Sequence, residues 1–231
     1  MVPIVFEDAE IIVVEKPSGL LVHPSVQNEP DTLLAQLTVH APEIATAGGE
    51  EHRPGIVHRL DKFASGLMVV AKTPHAFSTL KEQFQNHTIQ KRYVVLVYGS
   101  LPREEGTLNF SIERSKRSGR MAAKPAGSGG KESITEYLVT GRSPYYTLLL
   151  VKTGSGRTHQ IRTHFFAFGH PVVGDTLYRS DHWTNDAPRL FLHACLLGFE
   201  HPTTGKHIEF KSELPEELKQ YLEKKHLQAH S

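Results

Sequence analysis

Only one cysteine, Cys195, occurs in 231 residues, which excludes an intramolecular disulfide and fits a reducing compartment. No apolar run approaches the ~18 residues that a membrane-spanning helix needs. The opening Met1-Val2-Pro3-Ile4 has no basic stretch ahead of a long apolar core, so no secretory signal is expected. The expectation is a cytoplasmic protein without membrane association. An excess of positive charge is also missing: 26 Lys and Arg face 25 Asp and Glu, a net of +1. A surface for a polyanion would have to be assembled from local groups of cations. Metal-binding patterns are lacking too, although there are 15 histidines. No His pair has the i, i+4 spacing around a Glu that binds catalytic zinc, and one cysteine cannot complete a zinc finger. His159 and His164, five apart on an expected helix, would point to different faces. Gly154-Ser155-Gly156-Arg157 lacks the Lys-Ser/Thr ending of a nucleotide phosphate loop. Neither a metal nor an organic cofactor is expected.

Against these absences stands His58-Arg59-Leu60-Asp61-Lys62, followed by Ser65-Gly66 and the apolar run Leu67-Met68-Val69-Val70-Ala71. The motif sets one carboxylate beside basic residues, at a turn feeding a strand that should be buried. An ionised carboxylate among cations suits a nucleophile or an electrostatic stabiliser, and not a general acid. Standing alone, such an Arg-x-Asp reads as a surface ion pair. Two further segments shift that reading. One is Gln90-Lys91-Arg92-Tyr93, leading into a second apolar strand; the other is Gly156-Arg157-Thr158-His159-Gln160-Ile161-Arg162-Thr163-His164. A local basic cluster is also present in Arg114-Ser115-Lys116-Arg117-Ser118-Gly119-Arg120, four cations in seven residues without an acid.

The patterning implies many strands and few helices. Ile4-Val5-Phe6 and Ile11-Ile12-Val13-Val14 read as a hairpin, and Pro17 and Gly19 break the chain after it. Asp31 is expected to cap a helix through His40, with Leu33, Leu34 and Leu37 on one face. Residues 46–51 read as a mobile loop. Thr73-Pro74 starts a helix with Phe77, Leu80 and Phe84 along its stripe. Strands are expected over 93–98, 134–139 and 146–151, with an exposed loop over 115–130. Ile161, Phe165 and Phe168 have helical spacing. A last hairpin turns at Thr204-Gly205, before an amphipathic surface helix over 215–225. Without a regular strand–helix alternation, the expected class is α+β with a largely antiparallel sheet, in one domain over 1–231. No internal repeat is visible.

Together these motifs resemble the RNA pseudouridine synthases, the large family carrying the signature His-Arg-Leu-Asp. Glu15-Lys16-Pro17-Ser18-Gly19-Leu20-Leu21-Val22-His23 is similar to the family's opening element. His170-Pro171-Val172-Val173-Gly174-Asp175 and Leu190-Phe191-Leu192-His193-Ala194 are similar to later segments, in the expected order. The resemblance implies a mixed, mainly antiparallel central sheet with flanking helices and an active-site cleft. It implies conversion of uridine in structured RNA, ribosomal or transfer, to pseudouridine without a cofactor. It sets Asp61 at the catalytic aspartate, Tyr93 at the active-site tyrosine and Arg162 at the arginine that pairs with the aspartate. Relatives often carry a small N-terminal RNA-binding domain; because the resemblance begins near Ile4, that domain is expected to be absent here.

Further roles follow from the chemistry. A base cannot be reached inside a helix and must be flipped out; Arg59 can fill the vacated space or hold a phosphate. Tyr93 can stack on the uracil, and Leu192 can wall its pocket beside a core His193. Arg114, Lys116, Arg117 and Arg120 form a candidate phosphate-gripping arm. The expected partner is RNA, bound by a monomer with no obligate protein partner. Two other readings remain at this point: a non-catalytic RNA-binding or ribosome-assembly factor on the same fold, and a glycosidase acting on another nucleoside or sugar. The latter lacks a second carboxylate near Asp61 in sequence.

Overall fold

A computed structural model describes every residue other than 25–28, 51–52, 116–118, 180–181, 184–185 and 228–231. The chain gathers into two compact units, residues 1–91 with 194–212 and residues 92–193 with 213–231. The fold is α+β, with antiparallel pairing dominant in both units, as the patterning requires.

In the first unit the strand order is β1 (Ile4–Glu7), β2 (Ile11–Lys16), β3 (Ser65–Ala71), β9 (Leu192–Glu200) and β10 (His207–Lys211). Asp8 closes the first hairpin, its Oδ1 accepting the Glu10 and Ile11 N–H groups at 2.8 and 2.9 Å. β3 is buried at all seven positions, which explains why the sequence shows an unbroken apolar run instead of an alternation. Gly66 has φ +114, and a Cβ there would collide with the Ala194 carbonyl, so the Ser-Gly pair of the motif is dictated by close strand approach. Helix α2 (Pro74–Gln85) begins at a Thr73 cap that accepts from Ala76 N–H at 3.1 Å. It lays Ala76 and Leu80 on Val13, Leu67 and Val69. Each such fully buried leucine contributes roughly 1.5–3 kcal/mol.

Two expectations need correction in this unit. Helix α1 (Leu33–His40) is capped by Thr32, whose Oγ1 accepts from Ala35 N–H at 3.1 Å, while Asp31 instead accepts from the Gln36 side chain. The loop expected to be mobile over 46–51 follows a 3-10 turn over Pro42–Thr46 and is anchored where described: Ala47 is fully buried and Gly55 N–H donates to the Gly48 carbonyl. Glu51 lies outside the described residues.

In the second unit the strand order is β4 (Gln90–Tyr98), β8 (Tyr146–Thr153), β7 (Lys131–Ser143), β5 (Glu105–Arg114) and β6 (Met121–Pro125). β6 corrects the expected loop over 115–130: it pairs with β5 from Arg114↔Met121 to Phe110↔Pro125. Helix α3 (Gln160–Ala167) packs on β5, β6 and β7. Helix α4 (Glu216–Lys224) is the amphipathic element expected, with Leu218, Tyr221 and Leu222 set against Leu96, Leu148 and Phe191.

Two histidines are held as neutral rings. Burial, and then the nearby charge of Lys91, push the His58 imidazole down to about 3. Its Nε2 accepts the Val69 N–H at 3.1 Å, which assigns the proton to Nδ1. Burial pushes His164 down to about 4. Ser133 donates to the Phe110 carbonyl and so accepts from His164 Nε2–H at 3.0 Å; among the described residues Nδ1 has no hydrogen-bond partner. In the unfolded chain both rings titrate near 6.5. The unfolded state therefore binds protons first. Stability from the neutral rings is complete above about pH 6.5 and is lost as pH falls toward 4 and then 3. Urea denaturation of His58→Gln, which keeps an acceptor and cannot titrate, should show a smaller loss between pH 6.5 and 4 than the parent. An identical pH slope would mean that His58 is not held neutral.

Candidate active site

Asp61 sits in the first unit on a turn closed by Ala64 N–H donating to the Asp61 carbonyl at 3.1 Å. The segment before it lies along β3: Gly55 accepts from Ala71 N–H, Ile56 bridges Val70, and His58 takes the Val69 N–H. The His58 ring also stacks on Phe84 of α2, with centroids 4.6 Å apart. Leu60 is buried. Beyond Asp61 the backbone is held from the β2 side. Lys16, fully buried, donates from Nζ to the carbonyls of Pro17, Leu20 and Lys62 at 2.8, 2.9 and 3.1 Å. Gly19 N–H reaches the Lys62 carbonyl at 2.8 Å, and Ser18 Oγ donates to the Phe63 carbonyl at 2.8 Å. Asp61 itself is half-buried, whereas Arg59, Lys62 and Phe63 are exposed. The turn thus offers one partly sheltered carboxylate on a fixed backbone, flanked by cations.

Arg162, Tyr93 and Leu192 belong to the second unit. Arg162 projects from α3, a helix fixed to β7 by Gln160, whose Nε2 donates to the Ile134 carbonyl and Thr135 Oγ1 at 2.9 and 3.1 Å. Its guanidinium is buried and two-pronged: Nε donates to Asp175 Oδ2 at 2.7 Å and Nη2 to Oδ1 at 2.9 Å. Asp175 Oδ1 also accepts the N–H groups of Leu177 and Tyr178, and the Tyr178 ring lies 5.1 Å from the guanidinium carbon. Tyr178 OH is in turn 2.8 Å from His159 Nδ1. The Nε–Nη2 edge of the guanidinium is thus taken by Asp175. Tyr93 is half-buried on β4 opposite Val151, not enclosed as a core tyrosine would be. Leu192 and His193 are buried.

Of the basic cluster, Arg114 and Arg120 are exposed at the base of the β5–β6 tip, where Ser115 N–H meets the Arg120 carbonyl. Arg114 Nη1 donates to the Gly119 carbonyl at 2.7 Å and Arg120 Nη1 to the Leu177 carbonyl at 3.0 Å. Lys116 and Arg117 lie outside the described residues.

Sequence reasoning missed three residues that position this chemistry: Lys16, His58 and Asp175. Each stands inside a quoted motif, so the signal was present. Their partners lie 46, 11 and 13 residues away and could not be read from local spacing. Gly174, before Asp175, has φ +78, and a Cβ there would collide with the Arg189 carbonyl; glycine is what lets the chain deliver Asp175.

Comparison with known proteins identifies the family. Residues 10–167 match the family model described as RNA pseudouridylate synthase. An RNA pseudouridine synthase of Aquifex aeolicus, uncharacterized in its own right, is 43% identical over 94% of this chain and 70% of its own length. The ribosomal large subunit pseudouridine synthase D of Zymomonas mobilis is 37% identical, over 93% of this chain and 70% of its own length. Among solved structures, human RNA pseudouridylate synthase domain containing 1 superposes with a TM-score of 0.73 at 28% identity, covering 93% of this chain and 84% of that one. A family model spanning most of the chain, relatives matched along two thirds of their length and a shared fold lead to one conclusion: the chain belongs to the RNA pseudouridine synthase family, the isomerases that turn uridine in RNA into pseudouridine.

Proposed function

We propose that Asp61 acts at the glycosidic centre of a flipped-out uridine, with Arg162 as its charged partner and Tyr93 as the ring against the uracil. The observation that carries this reading is the anchoring of the Asp61 turn by Lys16, Ser18 and His58, which fixes a carboxylate at a half-buried position. A carboxylate suits this reaction because it can attack or stabilise positive charge at the anomeric carbon, or abstract a sugar proton to begin an elimination. Either route needs it ionised. In this proposal the free base turns and rejoins through C5, Arg59 occupies the emptied stack or meets a phosphate, and Leu192 walls the uracil pocket. Held by Asp175 on one edge, Arg162 offers a preorganised charge to the reacting centre without having to be ordered by substrate.

Several of the relatives are named for the large ribosomal subunit, which makes its RNA the first substrate to test, with transfer RNA second. We further propose that the protein works as a cytoplasmic monomer; its single cysteine suits a reducing compartment.

Forming the C5 bond expels the C5 hydrogen, so RNA tritiated there should release label with this protein. Asp61→Asn keeps the shape and removes the charge; release should stop while RNA retention on filters stays near normal. Substantial turnover by Asp61→Asn would assign the central role to another group.

Arg162→Lys should not behave as a conservative change, because lysine lacks the planar fork that grips Asp175. A large loss of single-turnover rate with a modest loss of affinity is expected; a near-normal rate would make Arg162 incidental. Asp175→Ala should lower unfolding free energy by about 3–5 kcal/mol, since it removes the carboxylate that the buried guanidinium grips with two donors. A loss under ~1 kcal/mol in urea would show that water replaces the carboxylate.

Replacing Arg114 and Arg120 together by Ala should weaken RNA binding and flatten its dependence on salt, with a slope change of about one per lost phosphate contact. An unchanged slope would place the RNA grip elsewhere.

A further inference from the structure

Phe63 stands at the apex of the Asp61 turn, 48% exposed, and belongs to neither apolar core. Single exposed apolar residues are ordinary on protein surfaces. Three observations separate this one from the ordinary case. The backbone on which it stands is fixed at consecutive carbonyls, Lys62 by Lys16 Nζ and Gly19 N–H, and Phe63 by Ser18 Oγ. A ring projecting from such a base loses little freedom when something packs on it. Next, the Lys62 ammonium lies 5.8 Å from the ring centroid, so a cation and a π face are presented together. Finally, Arg59, two residues before Asp61, is exposed as well, so that along the chain Asp61 lies between exposed cations with an aromatic two residues on.

A flat aromatic interleaved with cations is the chemistry that takes a nucleobase by stacking and its phosphate by charge. Flipping a uridine out of its stack leaves the neighbouring base with one uncovered face. We propose that Phe63 is the stacking platform for the nucleotide adjoining the target uridine, with Lys62 meeting the phosphate beside it. The inference rests on the reading of Asp61 as the group that acts on that uridine. Because every base has a π face, the platform adds affinity and selects for an opened strand, not for a base.

The test uses C5-tritiated total RNA from cells lacking this protein, and the full chain carrying Phe63→Ala, Phe63→Leu or Phe63→Trp. Phe63→Ala and Phe63→Leu should raise KM for tritium release roughly tenfold, the loss of one aromatic–base stack, with kcat within about twofold. Phe63→Trp should remain near the parent. Thermal unfolding should be unchanged in all three, and Tyr145→Ala, at an exposed aromatic outside the site, should leave both constants alone. A Phe63→Leu enzyme indistinguishable from the parent would overturn the proposal, since a merely apolar contact would then suffice. The same substitutions in an Asp61→Asn background, read by filter retention of the same RNA, separate the two readings. Weaker retention in Phe63→Ala alongside a parent enzyme that releases no tritium keeps the platform and removes the isomerase role of Asp61. Equal retention in Phe63→Ala and its parent removes the platform whatever the turnover.

Discussion

The Lys16 ammonium lies wholly buried at the end of β2, facing the carbonyls of Pro17, Leu20 and Lys62. Taking a charge out of water costs several kcal/mol unless its donors are satisfied. An ammonium has three, and three carbonyls meet them here. Two of those carbonyls belong to the Pro-Ser-Gly-Leu loop and the third to the residue after Asp61. A methionine in place of Lys16 would match the volume but take a donor from the Pro17 and Leu20 carbonyls and leave the Lys62 carbonyl with Gly19 N–H. The loop at residues 17–20 and the Asp61 turn therefore exist in their present form because one cation joins them. Gly19 N–H and Ser18 Oγ reach the same turn from that loop, so the whole opening motif serves as scaffold for the carboxylate.

The second unit solves a similar problem with an opposite charge. Arg162 is buried on α3, and Asp175 meets it in the planar geometry that a guanidinium favours. Asp175 is itself locked by the backbone N–H groups of Leu177 and Tyr178, so the pair cannot rotate as a unit. The neighbouring segment is anchored as a strand would be: Tyr98 N–H donates to the Pro171 carbonyl, Val173 N–H to Leu96, and Phe191 N–H to Val173. Orientation of Arg162 thus traces through Asp175 to the middle of β4. A buried ion pair of this kind adds little to net stability compared with an apolar pair. What it supplies is a charge with one direction.

Much of the fold could be read from local chemistry. The Thr73-Pro74 start of α2, the alternation along β7 and the apolar stripe of α4 are each decided within a few residues, and each appears where its pattern lies. Failures occur where two local options are equally good or where a distant strand decides. Asp31 and Thr32 are both sound caps; Thr32 wins because it is buried at a bridge to Leu21, which no local rule could show. β6 has no alternation and sits among Gly, Ser and Lys; it is a strand because β5 offers it an edge. At the site, motifs identified the segments but not the division of labour within them. Asp61 stands out by its neighbours, whereas Asp175 and Lys16 act on partners that only the tertiary structure supplies.

A net charge of +1 hides how the cations are distributed. Lys72 is sheltered between Glu7 and Glu43, Lys225 meets Asp186, Arg189 meets Glu217 and Arg142 meets Glu104. These pairs neutralise one another inside the protein's own surface and have little left for a polyanion at physiological salt. Arg59, Lys62, Arg114 and Arg120 are exposed. Other cations, among them Arg92, Arg103 and Arg157, are exposed as well, so positive charge is spread over a surface whose net charge is close to zero. Such a surface attracts phosphate over about a Debye length, roughly 8 Å, and not across the whole molecule. With a net charge of +1, long-range attraction of a polyanion is weak. A near-balanced composition therefore leaves affinity for any polyanion to local contacts, and not to the field of the whole molecule.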